Sequence, residues 1–508
     1  YSGDALTDAD SNTVVGKSAL GSDTLGSKST AMGHEALVAQ NFTTATDSHN
    51  VAVGYQAGHD ISTGVRNVLV GSNTGDALTD ADYNTALGQQ ALTTDTMGSR
   101  TTAVGYAALQ NQNFTTATDS FNTAVGFQTG INVSTGIKNT LVGADVGDAI
   151  TTGDFNTAMG YDALGTETAG TRTVAIGAST LKTQNVGGGT TVYNTAVGHI
   201  AGFAVTTGIN NTLIGGAAGV ALTDADFNTA IGVQALTSDT LGSRSVAVGY
   251  RALYNQNFTT ATNSNNAAVG YSAGLDLTTG QNNTFLGAYA GQNITTGDEN
   301  TLLGTGAGGS ETLTGNENTA VGRSAGANLT TGDNNLLLGH DAGRTGSPGG
   351  NINTENNEIV FGDENISEAH IQVSLTVASD ERDKTDFVNL DLGLDFVKAL
   401  EPVTYYWDKR SKYGDKYADD YDLNAQTPDG THKEDWMDIG FKAQSVLALE
   451  EAAGYKIAEK KNLTVSLSGD GKQYGLQYEK FIPILVKAMQ EQDAIIQSLT
   501  ARIAALES

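Results

Sequence analysis

Asn122-Thr123-Ala124-Val125-Gly126 returns seventeen residues on as Asn139-Thr140-Leu141-Val142-Gly143, and again as Asn156-Thr157-Ala158-Met159-Gly160. Counting degenerate copies, the closing glycine falls at 16, 33, 54, 71, 88, 105, 126, 143, 160, 177, 198, 215, 232, 249, 270, 287, 304, 322 and 339. The steps are mostly 17, with 21 at every fourth, so a block of 72 residues repeats: Gly54, Gly126, Gly198 and Gly270 obey it. Internal repeats of this length signal a stacked architecture. In Thr123-Ala124-Val125, Ala124 points away from its neighbours, as alternation along a strand requires. Turn residues (Gly, Asn, Asp, Thr) bound each strand, and their density disfavours helix. The sequence therefore predicts a mainly β chain: a β-solenoid or β-roll shaft whose coils stack in parallel register. Some twenty coils at about 4.8 Å each would make a rod of roughly 95 Å.

A 17-residue coil has only a few small apolar side chains to bury. Lateral association of three chains is expected to complete the core. The 21-residue coils carry a nearly constant insert, Gln40–Ser48, Gln112–Ser120 and Gln256–Ser264, which repeats Phe42, Phe114 and Phe258 on one side of the rod. Each Phe is expected to cover a coil edge or pack between subunits; the alternative is a repeated contact with a host glycan or protein. The acid pairs Asp8/Asp10, Asp80/Asp82 and Asp224/Asp226 have calcium-competent chemistry. They lack a glycine-rich nonapeptide and a third acid, so solvated turns with local Asx bonds are expected. The seven histidines show no ligand spacing, and no metal or cofactor is expected.

Of 508 residues, 63 are glycine, 4 proline and none cysteine, and the net charge is −29. Such acidity repels phosphate backbones and anionic lipid, which argues against nucleic acid or a membrane surface as partner. With no cysteine there is no disulfide, thiolate zinc site or cysteine nucleophile. No apolar run of about 18 residues suggests a membrane span. The chain opens at Tyr1 without a signal-like segment, and a longer chain upstream is expected. Composition shifts along the chain: residues 379–508 hold 16 of the 27 Lys and Arg, three of the prolines, and both Trp407 and Trp436. The expected division is a shaft over 1–345, a transition over 346–378, a compact α+β domain over 379–480 and a C-terminal helix over 481–508.

Residues 357–378 read as strands, with 357–362 the last distorted repeat. Helices are expected over 391–400 and 443–453, strands over 402–407, 436–441 and 474–478, and a polar loop over 408–435. In the final helix Leu485, Met489, Gln492, Ile496, Leu499, Ile503 and Leu506 alternate steps of four and three. That is the seam of a left-handed coiled coil, with Gln492 as a register-setting polar residue.

Three motifs then carry a resemblance. Ser379-Asp380-x-Arg382-x-Lys384, Gly440-Phe441-Lys442-Ala443-Gln444, and Tyr478-Glu479-Lys480-Phe481-Ile482-Pro483-Ile484-Leu485 resemble, in order and spacing, the endosialidase-type intramolecular chaperone of phage tailspikes and tail fibres. The shaft is similar to Asn-Thr-x-x-Gly arrays of phage fibres and, in architecture, to head repeats of trimeric autotransporter adhesins. The resemblance implies a domain that trimerises its chains and cuts the Ala378–Ser379 bond, with Ser379 as nucleophile, Lys384 as general base, and Asp380 and Arg382 positioning the loop. Ser-Lys pairs are a known variant of serine catalysis. Five residues apart, the two side chains diverge on a regular strand or helix. A bend or a neighbouring subunit must bring them together. Read without the resemblance, Ser379 is a helix N-cap in a charged linker.

The function so implied is a subunit of a homotrimeric viral tail fibre, exposed on the virion and synthesised in the host cytoplasm. Its partners would be its own copies, a host glycan or protein receptor, and other tail proteins. The alternatives are a bacterial trimeric adhesin, which needs a membrane-barrel anchor, and a polysaccharide-depolymerising tailspike, which needs a carboxylate pair in a unique insertion. Here the acids recur with the repeat.

Overall fold

The computed structural model describes all residues except 373, 374, 417, 419 and 508. It comprises two compact units, Tyr1–Thr305 and Gly306–Ser508.

Unit 1 is a parallel β-solenoid. Its 17 three-residue strands run from Thr13–Val15 to Thr301–Leu303, one per coil. Each pairs in parallel with the next, Thr123 facing Thr140 and Ala124 facing Leu141. The middle residue of each strand points inward: Ala31, Ala52, Leu69, Ala103, Ala124 and Leu141 are at most 1% exposed. A second buried layer comes from the turns, through residues such as Leu20, Leu37, Leu92 and Leu164.

Two features explain why asparagine and glycine recur at the ends of the pentapeptide. Gly126 sits at φ +143°, and a Cβ there would lie 2.0 Å from the carbonyl oxygen of Gly143 on the next coil. Only glycine permits that backbone and that approach. The asparagine, which the sequence placed among the residues bounding each strand, is buried. Asn139 Nδ2 donates to the carbonyl of Gly153 at 2.8 Å. Its Oδ1 accepts the backbone N–H of Asn156 at 2.9 Å. Successive asparagines thus form a polar ladder that satisfies inward-facing backbone groups at coil corners, where strand pairing cannot reach.

At the 21-residue coils the ladder position holds Ser29, Thr101, Thr173 or Ser245, and the insert supplies a glutamine. Gln112 Nε2 donates to Asp95 Oδ2 at 2.6 Å and to Thr101 Oγ1 at 3.1 Å. Its Oε1 accepts from Asn122 Nδ2 at 2.8 Å. Asp95 also accepts the backbone N–H groups of Gly98 and Phe114, at 3.0 Å each. Gln40 with Asp23, and Gln256 with Asp239, repeat the arrangement. Gln184 repeats it with Glu167 in place of aspartate. Three of the inserts add a short parallel pairing, such as Gly98–Ser99 with Thr118–Asp119.

Unit 2 opens with three coils, whose strands Thr319–Val321, Leu336–Leu338 and Ile359–Phe361 pair in parallel. The expectation of strands throughout 357–378 is corrected. Among the described residues only Ile359–Phe361 is a strand there; Gly362–Glu364 turn inward and the described residues from Asn365 to Ala378 are exposed and unpaired as strands. Helix α1 is Leu394–Ala399, α2 is Ala443–Ala452 and α3 is Phe481–Glu507. Val403–Tyr405 pairs antiparallel with Asp438–Gly440, and Val465–Leu467 with Tyr474–Leu476. The Val465–Leu467 strand was not anticipated. Leu392, Phe396, Val446, Val465, Phe481 and Ile484 form the core of this part. Glu450, buried within α2, accepts the N–H of Thr464 at 2.6 Å, its hydroxyl at 2.6 Å and the N–H of Leu463 at 3.2 Å.

Candidate functional site: the Ser379–Lys384 turn

A single 3₁₀ turn, Glu381–Asp383, separates Ser379 from Lys384. Asp380 caps it: its Oδ1 accepts the backbone N–H of Arg382 at 2.9 Å. The Arg382 guanidinium folds back on the same carboxylate, with Nε 3.0 Å and Nη2 2.6 Å away. That side-chain bond, then the backbone one, lowers the Asp380 pKa, and the same pair raises that of Arg382. The backbone N–H of Lys384 closes the turn on the carbonyl of Glu381 at 3.2 Å. The chain thereby reverses enough that Lys384 Nζ donates to Ser379 Oγ at 2.5 Å.

The bend that the spacing demanded is thus local, made by the four residues between the pair. The N-cap is Asp380 rather than Ser379. The whole turn is solvent-exposed in the single chain. An exposed lysine keeps its proton in water; acting as a base requires desolvation, which a covering surface would have to supply.

The second and third motifs meet each other. The backbone N–H of Phe441 donates to Tyr478 Oη at 3.2 Å. The Phe441 ring stacks on Phe481, centroids 5.4 Å apart. A side chain at Gly440 would meet Tyr478 Oη at 2.3 Å, which explains the glycine.

Residues 379–455 match the family model described as Chaperone of endosialidase. The match begins at Ser379 and takes in α1, the Val403–Gly440 strand pair and α2. No curated protein and no solved structure gave a significant match.

The other sequence-derived positions fall as follows. On α3, Phe481, Ile484 and Ala488 are buried against the domain. The heptad seam faces away: Leu485, Met489, Ile496, Leu499, Ile503 and Leu506 are 46% to 86% exposed, and Gln492 is exposed with them. Phe42, Phe114 and Phe258 are buried to within 6% exposure. They cover the first glycine of the short strand with which each insert pairs, Phe114 lying over Gly98, so a glycan contact through these rings is excluded. The paired acids make bonds from coil to coil. Asp82 accepts the N–H of Val65 and Asp80 the hydroxyl of Thr63, each at 2.7 Å.

Among the described residues, His340, Asp341 and Asp363 each bring one potential metal-ligating atom within 4.8 Å of the others. Lys416 Nζ already lies 3.6 Å from Asp341 and 2.6 Å from Glu364, so a side-chain cation supplies counter-charge there. Sequence reading missed this group because Asp363 lies 22 residues beyond the adjacent pair His340-Asp341. It also missed Glu450, since nothing in the sequence distinguishes it from the adjacent Glu451 on the same helix. No helix among the described residues is long and apolar enough to cross a membrane.

Proposed function

We propose that this chain is a structural subunit of a homotrimeric viral tail fibre or tailspike-like appendage that attaches to a host surface. Its C-terminal domain registers the chains and cleaves itself before Ser379. The observation that carries this reading is the Ser379–Lys384 contact at the first residue of the chaperone-of-endosialidase match.

In the reaction, Ser379 Oγ attacks the carbonyl carbon of Ala378 while Lys384, desolvated in the assembled domain, takes the hydroxyl proton. The Ser379 nitrogen leaves as an amine, and water hydrolyses the resulting ester. Asp380 and Arg382 hold the turn. Because assembly would supply the desolvation, cleavage would report correct trimerisation. A repetitive solenoid can slip by whole coils with each local contact preserved, so registration at one end removes that degeneracy. The α3 seam supports a three-stranded coiled coil. The shaft would project from the virion, with other tail proteins as partners and a host glycan or protein as receptor.

The test is intact mass and oligomeric state of the wild type beside Ser379→Ala and Lys384→Ala. A trimer split after residue 378, with both variants whole, supports the reading. An unsplit wild-type trimer removes the peptidase. A monomer overturns the architecture.

A further inference from the structure

The outward face of unit 1 has an uncovered column. The third residue of all 17 strands, from Val15 to Leu303, is apolar. Nine of them are exposed, from Ile214 at 37% to Val15 at 55%, and the other eight are half-buried. The first strand position, also outward, is Thr, Val or Ala in every one of these coils. No charged residue occupies either column, although the chain carries a net charge of −29.

One side of this face carries a ladder two residues before the first strand position. Between Arg66 and Arg172 it alternates cation and ring. Arg66 lies 5.2 Å from the Tyr83 ring, Lys138 4.9 Å and Arg172 5.3 Å from the Phe155 ring. These residues sit at φ near +57° to +61°, where asparagine or glycine is easier to accommodate. The backbone alone therefore does not account for them.

At about 4.8 Å per coil and about 3.3 Å per residue along each strand, the face is a strip roughly 80 Å long and 10 Å wide. Its area, roughly 800 Å², is what one partner contributes to a stable protein interface.

We infer that this Thr/aliphatic face is the surface through which the shafts of identical chains pack side by side, a conclusion that rests on the homotrimer reading. Three observations select a second copy as the occupant. A partner must repeat at the coil spacing for 17 coils, and the same shaft does so. Parallel copies at equal height place their 21-residue inserts level with one another. Unit 2, considered separately, also presents an uncovered apolar stripe along α3, which parallel self-association would cover as well.

The chain has no cysteine, so single thiols can be introduced cleanly. Val125→Cys and Met159→Cys lie in the face, and Thr115→Cys lies in an exposed insert as control. Each full-length variant is treated with a maleimide under native conditions, and the assembly is followed by native mass spectrometry. Face thiols should react about 100-fold or more slowly than the control, as for groups reached only by opening, and equally fast in denaturant. Face thiols reacting at the control rate in an intact trimer would overturn the inference and leave the homotrimer standing. Protection appearing only when host envelope fragments are added would overturn it too, assigning the face to a receptor. A monomer would remove the homotrimer reading and the inference with it.

Discussion

Asn139→Ala removes one rung of the buried asparagine ladder while leaving the chain's own backbone bonds untouched. Two partners lose their bonds: the Asn156 N–H, at 2.9 Å from Asn139 Oδ1, and the Gly153 carbonyl, at 2.8 Å from its Nδ2. Asn139 and Asn156 are both fully buried, so water does not readily replace the lost groups. Leaving a buried polar group unpaired costs about 1–3 kcal/mol, so the pair costs about 2–6 kcal/mol. At one decade per 1.4 kcal/mol, amides limited by opening of these coils should exchange about 30-fold to 10⁴-fold faster. Asn139→Asp keeps the acceptor but points a carboxylate at the Gly153 carbonyl, and should cost at least as much at neutral pH. The assay is native-state hydrogen exchange by mass spectrometry over residues 150–160, with exposed Thr115→Ala as control, expected to stay within about 0.5 kcal/mol. Acceleration below about 5-fold in Asn139→Ala would refute the ladder as a source of stability.

Gly126→Ala, at φ +143° against the next coil, should cost about 3 kcal/mol or more, whereas Gly187→Ala, at φ +65° with open space around it, should cost only the left-handed penalty of about 1–2 kcal/mol; thermal melting compares them. Glu450→Ala orphans three donors, the two of Thr464 buried and that of Leu463 half-buried, and should cost about 3 kcal/mol or more, while Glu450→Gln keeps an acceptor and should cost clearly less, read from denaturant unfolding of the C-terminal domain. Burial pushes the Asp95 and Asp239 carboxyls above their ordinary range, outweighing the bonds from Gln112 and Gln256. The folded state then binds these protons more readily than the unfolded chain. Stability gained as pH falls through the raised values toward about 3.9 is lost again as pH rises, so the wild type should gain on Asp95→Asn between pH 7 and pH 4. A flat difference would show that the carboxyl is not desolvated. Leu499→Asp places a charge in the uncovered α3 seam and should lower the oligomeric state in light scattering without unfolding the shaft.

Much of the fold was legible because a solenoid writes itself into the chain as a period. Recurrence every 17 residues, lengthened to 21 at each fourth step, is a property of the sequence alone, and alternation within Thr-Ala-Val already turns Ala124 inward. The glycine was legible as a turn; its reason, a carbonyl from the following coil, was not. Asparagine was legible only as a residue bounding each strand, because its partners lie 14 and 17 residues away. Phe114 offered either a surface or a buried ring until the fold laid it over Gly98. At the candidate site, residue types and order pointed to Ser379 and Lys384, yet their spacing argued against contact.

By itself, then, the sequence determined the repeat, its strand-and-turn character, the inward position of each strand and the apolar stripe on the last helix. All of these follow from local periodicity. Only the tertiary structure decided that asparagine forms an internal ladder, that Asp95 and Gln112 share a buried bond, and that one capped turn brings Lys384 to Ser379. Each depends on which backbone groups stand opposite a side chain once coils stack or the chain reverses, and hydrogen-bond partners chosen in space leave no fixed trace in linear spacing.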